Sequence, residues 1–82
     1  MMYQITLYVL EISCLKSFHS IEKEIKGLGG IISFKSSLPK GKLVIKFKPS
    51  LISSLQIINM IEEKGLVIFK KEQREYCYGI YN

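Results

Sequence analysis

Eighty-two residues, 48% of them hydrophobic, suit one small domain whose core must run through nearly every element to offset backbone entropy, and they argue against a disordered chain. No apolar run reaches membrane-spanning length and no cleavable leader is evident, so membrane insertion is not expected. Twelve Lys and Arg against seven Glu, a formal charge of +5, favour encounter with an acidic partner.

Residues Tyr3 to Leu10 alternate Ile5, Leu7 and Val9 with Gln4, Thr6 and Tyr8, which predicts a strand buried on one face. Ser13 can cap a helix from about Leu15 to Lys26, whose stripe is Phe18, Ile21, Ile25 and Leu28. Gly27-Leu28-Gly29-Gly30 stops that helix. Ile31 to Ser36 and Lys42 to Lys48 flank a short turn and should pair as an antiparallel hairpin. In the second of these strands Leu43, Ile45 and Phe47 alternate with Lys42, Lys46 and Lys48, with Val44 on the cationic face.

Pro49-Ser50 ends that strand and is expected to open a second helix over 51–64. Leu55, Ile58 and Ile61 are its expected core stripe, with Ile57 and Met60 beside it. Gly65 closes the helix, and Leu66 to Phe69 begins the last strand, with Lys70-Lys71 as its extension. The domain is thus set at 1–71. Residues 72–82 form a Tyr-rich tail in which Tyr76, Tyr78 and Tyr81 surround Cys77; it could extend the last strand, cover apolar surface or mediate self-association. The order strand, helix, strand, strand, helix, strand predicts two helices covering one face of a four-stranded antiparallel sheet.

These spacings resemble the heavy-metal-associated domain family, the small copper chaperones and the soluble modules of metal-pumping ATPases. Leu7 and Val9 match the family's first strand, Ile12 its loop methionine position and Cys14 the first cysteine of Gly-Met-x-Cys-x-x-Cys. Ile21, Glu22, Ile25 and Leu28 follow at the family's intervals. Gly30-Ile31 takes the Gly-Val turn, Pro49 the proline after the third strand, and Ile61, Glu62, Gly65 and Leu66 the final helix and its exit. The resemblance covers about residues 3 to 70 and implies a ferredoxin-like α/β sandwich. Three positions depart from it: Ser17 replaces the second cysteine, Glu11 the loop glycine, and Leu66 an aromatic near the metal. Lys64 takes a place where a lysine in some family members offsets thiolate charge.

The chemistry implied by the resemblance is thiolate ligation of a soft monovalent ion, Cu(I), passed between proteins by ligand exchange. A serine hydroxyl is a poor substitute for the second thiolate. One Cys14 per chain therefore implies weak or no binding by a monomer, with a shared site across a homodimer or with a partner's cysteine as the way to two thiolates. Ser13, Ser17 and Lys64 are the neighbours of that loop. A thiol at a helix start, near Lys16 or Lys64, is also open to reactivity or oxidation, and the plain alternative is a small hydrophobe in a degenerate loop. Cys77 reads as structural or incidental. The two cysteines do not make a secreted disulfide framework, so a reduced, cytoplasmic protein is expected, one bridge between them staying open.

His19, five residues past Cys14, reads as structural, and Met1 and Met2 reach the loop only if the N-terminus curls back. Lysines 35, 40, 42, 46 and 48 gather around the hairpin as solvent-facing and edge residues. Nucleic acid is disfavoured, since the central strands present Tyr8 and Val44 outward instead of an aromatic platform, and Arg74 is the sole arginine for base-edge or bidentate phosphate contacts. No nucleophile, base and orienting group recur, so an enzyme is not expected. The preferred expectation is a soft-metal-binding or metallochaperone-like protein using Cys14, with a metal-pump module as partner. Its rival is a metal-free interaction module contacting partners through Ile57, Met60, Leu66, Tyr76, Tyr78 and Tyr81.

Overall fold

The computed structural model describes residues 2–10, 15–37 and 41–76, apart from the side chains of residues 15–18 and 76. The expected alternation in the first strand is realised in β1, Met2–Leu10, where Ile5, Leu7 and Val9 are buried together. Helix α1, Leu15–Lys26, lays Ile21 and Ile25 onto that face. Strands β2, Ile31–Ser37, and β3, Lys42–Phe47, form the hairpin, and β3 adds Leu43, Ile45 and Phe47 to the core. Helix α2 spans Ser54–Glu63 and strand β4 spans Val67–Tyr76.

The strands lie in the order β2-β3-β1-β4, all neighbours antiparallel. This is the expected βαββαβ ferredoxin-like arrangement, with both helices on one face of the sheet. With both helices on one side, no described helix covers the other side of the sheet, which is common for antiparallel sheets.

The second helix begins later than the Pro49-Ser50 cue implies. Residues 49–51 instead form a turn in which the Lys48 carbonyl accepts from the Leu51 and Ile52 amides at 3.0 and 3.1 Å. The cap is Ser53. Its hydroxyl accepts from the Gln56 amide at 3.1 Å, while the Gln56 side-chain oxygen accepts from the Ser53 amide at 3.0 Å. Such a reciprocal pair satisfies two otherwise free groups and is worth about 1 kcal/mol.

The core stripe of α2 also differs from the expected one. Ile57, Ile58 and Ile61 are buried, whereas Leu55 is 63% exposed. The reason lies in what faces the first turn. The residues of β4 on the helix side there are Lys71 and Gln73, exposed polar groups that leave the leucine open to solvent. Leu55 therefore stands on the wall of a groove of about 440 Å³ shared with Ile5, Ile58, Lys71 and Gln73.

Strand β4 runs across the 71/72 boundary as far as Tyr76, so Glu72 to Tyr76 belong to the sheet. Their polar character suits an edge strand, where charge discourages pairing with other chains. Near its start the pairing passes from Val9↔Ile68 to Tyr8↔Lys70. Phe69 is thus the extra residue of a β-bulge.

Candidate functional site

Cys14 directly precedes Leu15, the first residue of α1. Cys14 and Ser13 lie outside the described residues, as do Met1, Glu11, Lys40, Cys77, Tyr78 and Tyr81. Ser17 is placed in the first turn of α1, and Tyr76 is the last residue of β4. Among the described residues, no group of three or more His, Cys, Asp or Glu side chains could hold a metal ion.

Lys64 follows α2 as its cap, and its amide donates to the Ile61 carbonyl at 3.1 Å. Its ammonium is paired with the Glu24 carboxylate. Glu24 stands nine residues after Leu15, roughly 13 Å along the helix axis at 1.5 Å per residue. The Lys64 charge is therefore engaged toward the C-terminal half of α1. His19 is exposed on the same helix. Glu22, one turn before Lys26, accepts from its ammonium at 2.9 Å, and this hydrogen bond together with the nearby positive charge lowers the Glu22 pKa below its ordinary value.

The groups expected to contact partners divide. Ile57 has no exposed surface, so it is a core residue and offers nothing to a partner. Met60 and Leu66 are half-buried and pack against the core. Each therefore contributes at most a part of its surface to any contact.

The uncovered sheet face holds an arrangement that sequence reasoning saw only in part. Directly paired residues share a face, and the register sets out three rows. Ser37, Lys42, Tyr8 and Lys70 form one; Lys35, Val44, Thr6 and Glu72 the second; Ser33, Lys46, Gln4 and Arg74 the third. Lys70 and Arg74 of β4 thereby join the hairpin lysines. The Tyr8 ring lies 6.0 Å from the Lys42 ammonium and 5.2 Å from that of Lys70, distances at which the cation is attracted to the aromatic face. Thr6 is buried in the floor. Beside it Gln4, Glu72, Gln73 and Arg74 line a polar depression of about 280 Å³. No alternation in the polar stretch after Phe69 announces which of its side chains turn outward, because the bulge resets the phase.

No family model matches the chain. Human copper-transporting ATPase 2 is 37% identical over 60 residues, which are 73% of this chain and 4% of that protein. The solution structure of a candidate copper-ion-binding protein from Bacillus anthracis superposes with a TM-score of 0.76 at 29% identity, covering 84% of this chain and 97% of that one. The chain contains a heavy-metal-associated domain of the copper-chaperone-like type. The N-terminal domain of a potential copper-translocating P-type ATPase from Bacillus subtilis, in its Cu(I)-loaded state, has the same fold, with a TM-score of 0.79 at 14% identity over 98% of this chain and all of that one. These solved structures share the fold of this heavy-metal-associated domain. No described helix of it is long and apolar enough to cross a membrane.

Proposed function

We propose that this heavy-metal-associated domain binds a soft monovalent metal, Cu(I), through Cys14 and acts as a cytoplasmic metallochaperone-like protein. The observation that carries the reading is the position of Cys14 immediately before α1, in a domain similar to copper-binding modules. The donor set limits how the cargo is held. One thiolate in the loop, with Ser17 where a second would stand, does not give the two soft ligands that Cu(I) favours. Cys14 of two chains, or Cys14 and a cysteine of a metal-pump module, supplies them. Ser13 and Ser17 are then loop neighbours, not ligands. Lys64, held to Glu24, contributes to the thiolate only after leaving that carboxylate.

Ser17 favours a second reading, in which the scaffold serves as a metal-free interaction or dimerisation module through the exposed parts of Met60 and Leu66 and through Tyr76, Tyr78 and Tyr81. One experiment separates the two. Reduced protein is titrated with Cu(I) against a competing chelator without oxygen, its mass in solution is followed, and Cys14→Ala is treated alike. The metal reading expects one ion per two chains, with dimerisation abolished by the substitution. A folded chain that takes up no Cu(I) overturns it and leaves the metal-free reading.

A further inference from the structure

Charge is divided unequally between the two layers of the domain. Among the described residues, the helices carry Glu22, Glu24, Glu62 and Glu63 with Lys16, Lys23 and Lys26, and Lys64 follows directly, so this layer is close to neutral. The sheet face opposite the helices presents, among the described residues, Lys35, Lys42, Lys46, Lys70 and Arg74 with one acidic residue, Glu72. Glu72 is itself 3.5 Å from Lys70. The excess positive charge of the described chain is thus gathered on the face that no helix covers.

Its layout is regular. β1 runs down the middle with the neutral groups Gln4, Thr6 and Tyr8, flanked by Lys42 and Lys46 of β3 and by Lys70 and Arg74 of β4. Members of each flanking pair are four residues apart, about 13 Å along a strand, and the two files are about 10 Å apart across β1. An extended peptide has the same rise per residue as the strands beneath it. Carboxylates projected at every second position on one side of such a peptide recur at intervals that fit both files. At one end, the only arginine of the chain borders the 280 Å³ depression, where a planar guanidinium can grip a carboxylate through two parallel hydrogen bonds.

We propose that the uncovered sheet face is a docking surface for an extended, carboxylate-rich protein segment laid along β1 between the Lys42–Lys46 and Lys70–Arg74 files. Single-stranded nucleic acid fits less well. Base stacking needs a run of free aromatic faces. Among the described residues, the Tyr8 ring has Lys42 and Lys70 beside it, the exposed Phe69 ring stands 6.4 Å from it at the same end, and the next row offers Val44 and Thr6, so the rings form one pair at one end and not a platform along β1. The surface uses no residue of the Cys14 loop, so it stands whether or not the domain carries metal.

The test is fluorescence anisotropy at low ionic strength, with a labelled alternating Glu-Ser peptide and a labelled oligothymidylate as probes. The native chain binds the peptide, and Lys70→Glu/Arg74→Glu weakens it about tenfold or more, as loss of complementary charge does. Lys23→Glu/Lys26→Glu, an equal change of net charge in the helix layer, leaves peptide binding within about twofold of native. The neutral pair Lys70→Gln/Arg74→Gln, verified as folded by circular dichroism, loses affinity in the same direction and serves if the reversed pair does not fold. Equal losses from the sheet and helix variants overturn the proposal, as does an absence of peptide binding. Tighter binding of the oligothymidylate with the same dependence on Lys70 and Arg74 overturns it in favour of nucleic acid.

Discussion

Gly41 is the position where an added methyl group should be most harmful. Its φ of +62° is a left-handed conformation, and a Cβ built there meets the Val9 carbonyl oxygen at 2.5 Å. That peptide cannot simply move away, because the Val9 amide donates to the Gly41 carbonyl at 2.8 Å, tying the end of β1 to the start of β3. Placing alanine in the left-handed region costs about 1 kcal/mol. Relieving the clash by shifting backbone, and weakening that hydrogen bond, adds about 1–3 kcal/mol. A loss of about 2–4 kcal/mol is large beside the roughly 4–12 kcal/mol expected for a domain of this size, and lowers Tm by about 10–25 °C. Urea and thermal unfolding of Gly41→Ala, followed by circular dichroism, measure it. Gly65→Ala is the control for strain alone: its φ is +94°, but a Cβ there meets nothing within 4 Å, so about 1 kcal/mol is expected. Equal losses at the two positions would refute the argument from the Val9 contact.

Burial and charge each lead to a further expected outcome. Ile57→Ala should destabilise by about 2–5 kcal/mol through a cavity, and Leu55→Ala by about 0.5 kcal/mol or less; urea unfolding in which Leu55→Ala costs as much as Ile57→Ala would contradict the core assignment. In an NMR pH titration the Glu22 carboxylate should titrate below its ordinary value and return upward in Lys26→Met. Because the folded pKa is the lower one, the Glu22–Lys26 contact supports the fold above the unfolded pKa and is lost as pH falls through the folded one. An unmoved Glu22 titration in Lys26→Met would remove Lys26 as the cause.

What the sequence disclosed depended on how far each residue's partner was from it along the chain. β1 and β3 were legible because each strand has one apolar face, and α1 because its stripe, its stop and the thiol before it are all local. The start of α2 was misplaced although the cue was present: Gln56 stands three residues after Ser53 and not after Ser50. Leu55 looked like core because its spacing to Ile58 is helical; only the polar residues opposite it on β4 expose it. The strand character of Glu72 to Tyr76 comes from pairing with Met2 to Thr6, some seventy residues earlier, and leaves no local pattern. Of the candidate site, the identity of Cys14 and its helix-start position were legible, whereas the commitment of Lys64 to Glu24 depends on how two helices cross.

The bulge at Phe69 acts on β4 as an insertion acts on a reading frame. Downstream of it, Lys70, Glu72 and Arg74 fall on the open face and Lys71, Gln73 and Glu75 on the helix side. Were Phe69 to pair with Tyr8 in regular alternation, the two sets would change places and Arg74 would leave the company of the β3 lysines. Loss of Phe69 alone preserves the frame, since Ile68 and the lysine after it then sit opposite Val9 and Tyr8 as they do now. Loss of a residue between Lys70 and the end of the strand instead moves every later side chain of β4 to the opposite face. The electrostatic character of this domain is therefore more vulnerable to length changes in one edge strand than to most substitutions of its charged residues.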